Sequence, residues 1–480
     1  MPMTPPSPAH RRRTKIVATV GPASREAHTL EALIRAGVDV FRLNLSHGDH
    51  AEHRTCFERV RAAAAAAGEP VAVLADLCGP KVRVGRFAGG RVTLAPGERI
   101  TVTTRPVEGG PGLVPSQYAA LADDVRPGDR ILCDDGLIEL RVESVAGTEV
   151  ACVVLAGGVL KDRKGMNLPG VLVSSPALTD KDRDDARFAL ELGVDYLALS
   201  FVRRPEDVED LQALVRGLGL NTPVIAKVEK PEALDALDEI LEAADGLMVA
   251  RGDLGVELPP EAVPIVQQDL VRRARLKGKP VIVATQMLES MVEHPRPTRA
   301  EVSDVSHAVF SGADAVMLSA ETASGAYPVR AVEMMDRVAR QVEGWQSLEG
   351  AFRSLTDREE ERPAPLPLRL AVARSTAQLS RDLGVRAVVV RTLGGTSAAV
   401  VSSTRPAAPV LALTKDAAVS RRLSLLWGVV PRLIDPFDFE HVFGVARQTA
   451  RGLGLAHQGQ YILLLSGFGK GEPTLTVLPV

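Results

Sequence analysis

The chain has 480 residues, 45% of them hydrophobic and 24% charged, with a formal net charge of −3. That length accommodates more than one domain and large cores; the charge leaves no basic footprint for nucleic acid, and no apolar run reaches the roughly 18 to 20 residues of a membrane span. Cys56, Cys78, Cys133 and Cys152 form no C-x-x-C pair and the nine histidines no zinc-type cluster, so a disulfide scaffold and a zinc site are excluded and a reducing cytosol is expected.

The opening MPMTPPSPAHRRR has no apolar core of a signal peptide and reads as a tail over 1–13. Short β-branched runs then alternate with amphipathic helical patterns, the mark of a parallel α/β architecture. TKIVATV (14–20), VDVFRLNLS (38–46) and VAVLAD (71–76) read as strands. Helices fall between them at 26–37 and 50–68, stopped by Gly37 and Gly68. From 79 to 160 helical periodicity gives way to short alternating runs separated by Pro-Gly and Asp-Gly turns, which predicts a small all-β module inserted into the host domain. The alternation resumes at Thr179, an N-cap with an acid three residues on. Five more strands bring the count to eight: VDYLALS, PVIAKVE, GLMVAR, PVIVATQ and ADAVMLS. The prediction is a (β/α)8 TIM barrel built from 14–78 and 161–350, with the β module inserted after its third strand. TDREEERPAPLPLR (356–369) reads as a linker, and 365–480 as a separate C-terminal α/β domain.

In such barrels chemistry sits at the C-terminal ends of the strands. Here those ends read RLNLSH, Asp76, Ser200, KVEK, ARGD, ATQ and SAET. Glu229 and Asp253 are hard oxygen ligands that could share one Mg²⁺ or Mn²⁺ with substrate oxygens and water. Lys227, two residues before Glu229, shares its face of the strand by the period of 2. With Arg42 opposite, the set forms a site for a highly anionic group, most simply a phosphate. Two bland alternatives stand beside this reading: a salt bridge from Glu229 to Lys227 or Lys230, and an ordinary glycine turn at RGDLG.

RRTKIVATVGPAS (12–24), FRLNLSHG (41–48), KGMNLPG (164–170), MVARGDLGVELP (248–259), ATQMLESM (284–291), PRPTRAEVSDV (295–305) and MLSAETASGAYP (317–328) together resemble the pyruvate kinase family. The resemblance runs from about residue 12 to the C-terminus and implies the same barrel, inserted β domain and C-terminal domain. It further implies phosphoryl transfer from phosphoenolpyruvate to ADP in a cytoplasmic homotetramer, with two Mg²⁺ per turnover, one arriving with ADP. Arg42 and Lys227 would hold the transferred phosphoryl group. Glu229 and Asp253 would ligate the metal. Thr285, with backbone N–H groups of Gly252 and Asp253, would bind the carboxylate on the side where the enolate is protonated, with Ser319 and Glu321 nearby. Asn44, His47, Arg83 and Lys164 would face the nucleotide phosphates, and the β module would close as a lid. A metal-dependent aldolase or phosphoenolpyruvate mutase would share the barrel and acid pair, but not the lid or the nucleotide-side cations. A catalytically dead effector-binding protein would have lost strand-end residues that are all present here.

Two features concern regulation. RTLGGTSA (391–398) places Thr392, Gly394, Gly395, Thr396 and Ser397 at a strand-to-helix turn able to cradle a phosphate, where the family binds sugar-phosphate effectors. The last loop, GFGKGEP, lacks the aromatic and arginine of some fructose-bisphosphate-activated members. The second feature is Lys81, one of only 11 Lys against 46 Arg. Members that need K⁺ hold it with residues matching Asn44, Ser46, Asp76 and the position of Leu77, and resemble GPEIR where this chain has GPKVR. The expectation is that the Lys81 ammonium fills that pocket and K⁺ is not required.

Overall fold

Eight parallel strands close on themselves in a computed structural model of the chain, which describes residues 12–348, 365–468 and 472–480. Most of the expected tail and linker, and the centre of the GFGKGEP loop, lie outside the described residues. The barrel strands are, in order, Lys15–Thr19, Val40–Asn44, Ala72–Asp76, Tyr196–Leu199, Val224–Val228, Gly246–Ala250, Val281–Ala284 and Ala315–Leu318. Each pairs with its sequence neighbours, and the eighth returns to the first through Lys15 beside Ala315. Strands buried on both faces explain the continuous apolar runs. One layer of core lies between strands and helices, and a second, including Val17, Leu74, Ile225, Met248 and Met317, fills the barrel interior.

The local punctuation works as the sequence predicts. Gly37 and Gly68 end the first two helices in the left-handed conformation, at φ 116° and 66°, which glycine adopts without steric penalty. Thr179 and Asp182 form a capping box at the start of helix Asp180–Leu192.

Between the third and fourth barrel strands sits the β module. A six-stranded sheet takes the order Met166–Asn167, Arg130–Cys133, Ile138–Ala146, Glu149–Ala156, Arg99–Thr103, Leu113–Pro115, and Gly158–Lys161 pairs with Arg91–Leu94. The expected end at 160 falls short. Met166 pairs with Cys133, and Met166, Leu168 and Val171 pack into the module's own core. A two-residue strand is too short to show a period, so the sequence pattern could not mark it.

The C-terminal domain is a five-stranded sheet ordered Val429–Leu433, Val410–Thr414, Val388–Arg391, Tyr461–Ser466, Thr474–Pro479, antiparallel only at the last pair. It docks under the barrel: Leu425 joins the apolar cluster of the barrel interior, and Arg405 pairs with Asp314 at 2.9 Å with both side chains buried.

Candidate active site

Because Val224–Val228 is buried along its length, Lys227 has nowhere to go but the barrel mouth. Its ammonium donates to Ser200 Oγ at 2.6 Å and lies 3.1 Å from Asp76 Oδ1 and 3.0 Å from Glu229 Oε1. Arg42, from the second strand, donates through Nε to Asp76 Oδ2 at 2.6 Å and through Nη1 to Thr19 Oγ1 at 3.1 Å. Asp76 therefore sits between two cations. Burial would raise its pKa, but Lys227 and Arg42 outweigh burial and hold it below the ordinary carboxylate value. Burial likewise works against the Lys227 ammonium, and Asp76 and Glu229 outweigh it, so Lys227 stays charged.

Glu229 is the less compensated partner. Burial raises its pKa, the single ammonium only partly opposes this, and Asp253 adds to the rise. Glu229 Oε2 accepts from Phe201 N at 2.8 Å, while Asp253 makes no ion pair among the described residues. Two carboxylates short of positive charge fit a hard divalent cation. No group of three or more His, Cys, Asp or Glu with metal-holding geometry occurs among the described residues, so such a cation would complete its shell with substrate oxygen and water. The salt-bridge alternative for Glu229 is realised with Lys227 but not with Lys230, which pairs with Glu257 at 2.6 Å.

Thr285 follows the seventh strand at φ 70°, a strained conformation for a β-branched residue. Its hydroxyl accepts from Gly252 N at 2.8 Å and donates to Ala284 O at 2.6 Å. Gly252 and Asp253 lie in the short helix Arg251–Glu257, and the RGDLG glycines do not take positive φ. Glu321 is 0% exposed and its oxygens accept from Leu288 N at 3.0 Å and Ser319 N at 2.7 Å, so it braces two loops. Ser319 Oγ is buried without a hydrogen-bond partner.

The nucleotide-side set is spread along the seam between barrel and module. Asn44 Oδ1 accepts from Ser46 N at 3.3 Å, and the His47 N–H donates to Asn44 O at 3.3 Å. Arg83 pairs by backbone with Gly165, and Lys164 meets Asp134 at 2.8 Å. Burial, then Arg83, Lys81 and Arg42, hold His47 below its ordinary pKa. The structure does not bring Lys81 onto Asp76. That carboxylate faces Arg42 and Lys227, with Oδ1 buried and without a hydrogen bond, Leu77 is buried, and the exposed Lys81 lines a cleft with Asn167, Arg203, Lys230 and Asp253.

In the C-terminal domain Gly395, at φ 93°, opens helix Thr396–Ser403, and Thr392 Oγ1 accepts from Gly395 N at 3.0 Å. Gly394 and Thr396 are exposed, Ser397 is half-buried, and no side chain caps the helix.

Sequence reasoning gave three contributors no role of their own. Ser200 bridges Lys227 to Leu77 O, 2.7 Å from the latter. Phe201, at φ 55°, aims its N–H at Glu229. Arg251 grips the carbonyls of Ala284 and Thr285. Ser200 and Arg251 carried a signal, their places at strand ends, and Phe201 carried none.

A (β/α)8 barrel whose mouth confronts buried cations with an acid pair is the frame of a metal-assisted phosphotransferase. Comparison with known proteins is specific. Residues 11–332 match the family model "Pyruvate kinase, barrel domain" and residues 370–477 match "Pyruvate kinase, alpha/beta domain". A pyruvate kinase of Agrobacterium vitis is 46% identical over 462 residues, 96% of this chain and 94% of that protein. One of Mycobacterium tuberculosis strain H37Rv is 44% identical over 467 residues, 96% of each chain. The crystal structure of a pyruvate kinase from Cryptosporidium parvum superposes with a TM-score of 0.91 at 34% identity, covering 99% of this chain and 98% of that one. The chain belongs to the pyruvate kinase family. The aldolase and mutase reading finds no support in these matches. Pyruvate kinases act on phosphoenolpyruvate and ADP and need a divalent metal, and no helix among the described residues is long and apolar enough to cross a membrane.

Proposed function

We propose that Lys227 and Arg42 hold the phosphoryl group as it passes from phosphoenolpyruvate to ADP, with Glu229 and Asp253 as the protein ligands of Mg²⁺ or Mn²⁺. The observation that carries this reading is the buried Lys227 ammonium, 3.0 Å from Glu229 and 3.1 Å from Asp76. A fixed cation in a water-poor mouth stabilises charge where it develops in the transition state. Asp76 and Ser200 keep that cation charged and aimed. The bound metal would lower the energy of the enolate. The Asp253 backbone N–H, in the first turn of the short helix, takes the carboxylate, with Thr285 and Gly252 beside it on the side where the enolate is protonated. Asn44, His47, Arg83 and Lys164 face the ADP phosphates, with a second metal ion accompanying ADP. The module closes over the mouth and excludes water, so that phosphoenolpyruvate is not hydrolysed.

Lys81 is read as supplying the positive charge that K⁺ supplies in other members. Support comes from GPKVR and Leu77 in the cation-pocket stretch and from the field of Lys81 at His47. The Thr392–Ser397 turn is read as a sugar-phosphate effector site, and the enzyme as a cytoplasmic homotetramer. ADP-dependent pyruvate release from phosphoenolpyruvate, measured with Mg²⁺ and with the metal chelated, tests the core of the proposal. Phosphoenolpyruvate turnover without ADP, or full activity after chelation, overturns it.

A further inference from the structure

The strain at Thr285 needs an explanation from its surroundings, because a β-branched residue at φ 70° relaxes unless neighbouring groups hold it. Arg251 is the neighbour that does so. Its Nη2 donates to Thr285 O at 2.6 Å and its Nε to Ala284 O at 3.3 Å, so one planar fork holds the carbonyls on both sides of the Ala284–Thr285 step. The fork is itself fixed. Nη1 pairs with Asp304 at 2.6 Å and reaches Gln267 Oε1 at 3.3 Å, with the Arg251 side chain only 10% exposed. The next residue completes the grip, since Gly252 N donates to Thr285 Oγ1.

We propose that Arg251 is a positioning residue for Thr285. It holds the threonine in its strained conformation so that Oγ1, whose proton is committed to Ala284 O, presents a remaining lone pair to the substrate side. An acceptor fixed in this way takes one hydrogen of a bridging water and leaves the other aimed at the face of the enolate, where it is delivered to the methylene carbon while solvent returns a proton to the hydroxide left behind. A lysine could retain the pairing with Asp304, but its ammonium cannot reproduce a planar fork across two carbonyls. The inference rests on Thr285 belonging to the substrate site.

The test is a double-mutant cycle on Arg251→Lys and Thr285→Ala, read as kcat for pyruvate formation and as hydrogen–deuterium exchange at the pyruvate methyl group in D₂O. Loss of alignment lowers both rates by about 100-fold in Arg251→Lys, a typical cost of misplacing a reacting group by about 1 Å. The double variant is then no slower than the slower single variant, because the two changes remove one function. Multiplying losses overturn the role of Arg251 while leaving Thr285 at the site. Wild-type turnover in Thr285→Ala removes the basis of the site reading and of this one together. Asp304→Asn, which releases the fork without removing it, runs through the same cycle if Arg251→Lys does not fold, and multiplying losses overturn the role there also.

Discussion

Lys227 and Asp76 face each other across the barrel mouth at 3.1 Å, their side chains 10% and 1% exposed. A pair this dry makes the cation's removal and the anion's removal different experiments. Lys227→Met takes away the charge aimed at the transition state. Turnover should fall by at least about 10³-fold, while phosphoenolpyruvate still binds in a fluorescence or calorimetric titration.

Asp76→Ala does the opposite damage. It leaves the Arg42 and Lys227 cations close together without their shared carboxylate, at a folding cost of about 3–5 kcal/mol. The Asp76 pKa is depressed in the folded state, so its contribution is complete above the unfolded carboxylate value and is lost as pH falls through the folded one. Acid unfolding followed by circular dichroism should therefore begin at higher pH in Asp76→Asn than in the wild type.

Activity in a tetramethylammonium buffer free of K⁺ should match activity with K⁺ for the wild type, whereas Lys81→Glu should become K⁺-dependent. Strong K⁺ activation of the wild type removes this role for Lys81. The same substitution has a spectroscopic signature at His47. Its ordinary value is 6.5, and after burial and Arg83 the Lys81 charge is one of the influences holding it lower. The folded state thus resists protonating His47, and this small contribution to stability is lost as pH drops below the ordinary value. In Lys81→Glu the His47 NMR titration should move upward.

Gly79 stands where the chain passes from barrel to module. It sits at φ 67°, its N–H donates to the buried Asp182 at 3.0 Å, and an added Cβ would lie 2.7 Å from the Phe201 ring. Gly79→Ala should cost about 2 kcal/mol or more in thermal or urea unfolding, from left-handed backbone strain plus the clash. The displaced Phe201 also carries the N–H that holds Glu229, so the Mg²⁺ concentration for half-activity should rise.

Thr396→Glu sets a carboxylate at the open turn of the C-terminal domain. Any activation by sugar phosphates should disappear while activity without effector is unchanged. Unaltered activation moves the effector site elsewhere.

Much of this is legible in the sequence. The caps at Gly37, Gly68 and Thr179 announce themselves by residue type, and Lys227 and Glu229 meet at 3.0 Å because strand period alone puts them on one face. Contacts across strands were not legible. That Asp76 would take both Arg42 and Lys227, with Lys81 left exposed at the cleft, depends on barrel closure, which no local pattern encodes. The Arg251 fork and the left-handed Phe201 and Thr285 are products of tertiary packing imposed on residues with no preference for those conformations. That Glu321 braces the loops at Leu288 and Ser319 was not legible either, because a strand-end acid and a buried brace read alike in sequence.

Leu425 belongs to one domain by sequence and to the other by packing. It stoppers the lower end of the barrel, while Arg405 neutralises Asp314 at the foot of the eighth strand and the Tyr196 hydroxyl donates to Arg422 O at 2.7 Å. Severing the chain at its linker would therefore not yield two self-sufficient pieces. It would uncork the barrel, admit water to its apolar bore and strand an anion there. The two regions matched by separate family models are, in physical terms, a vessel and its base.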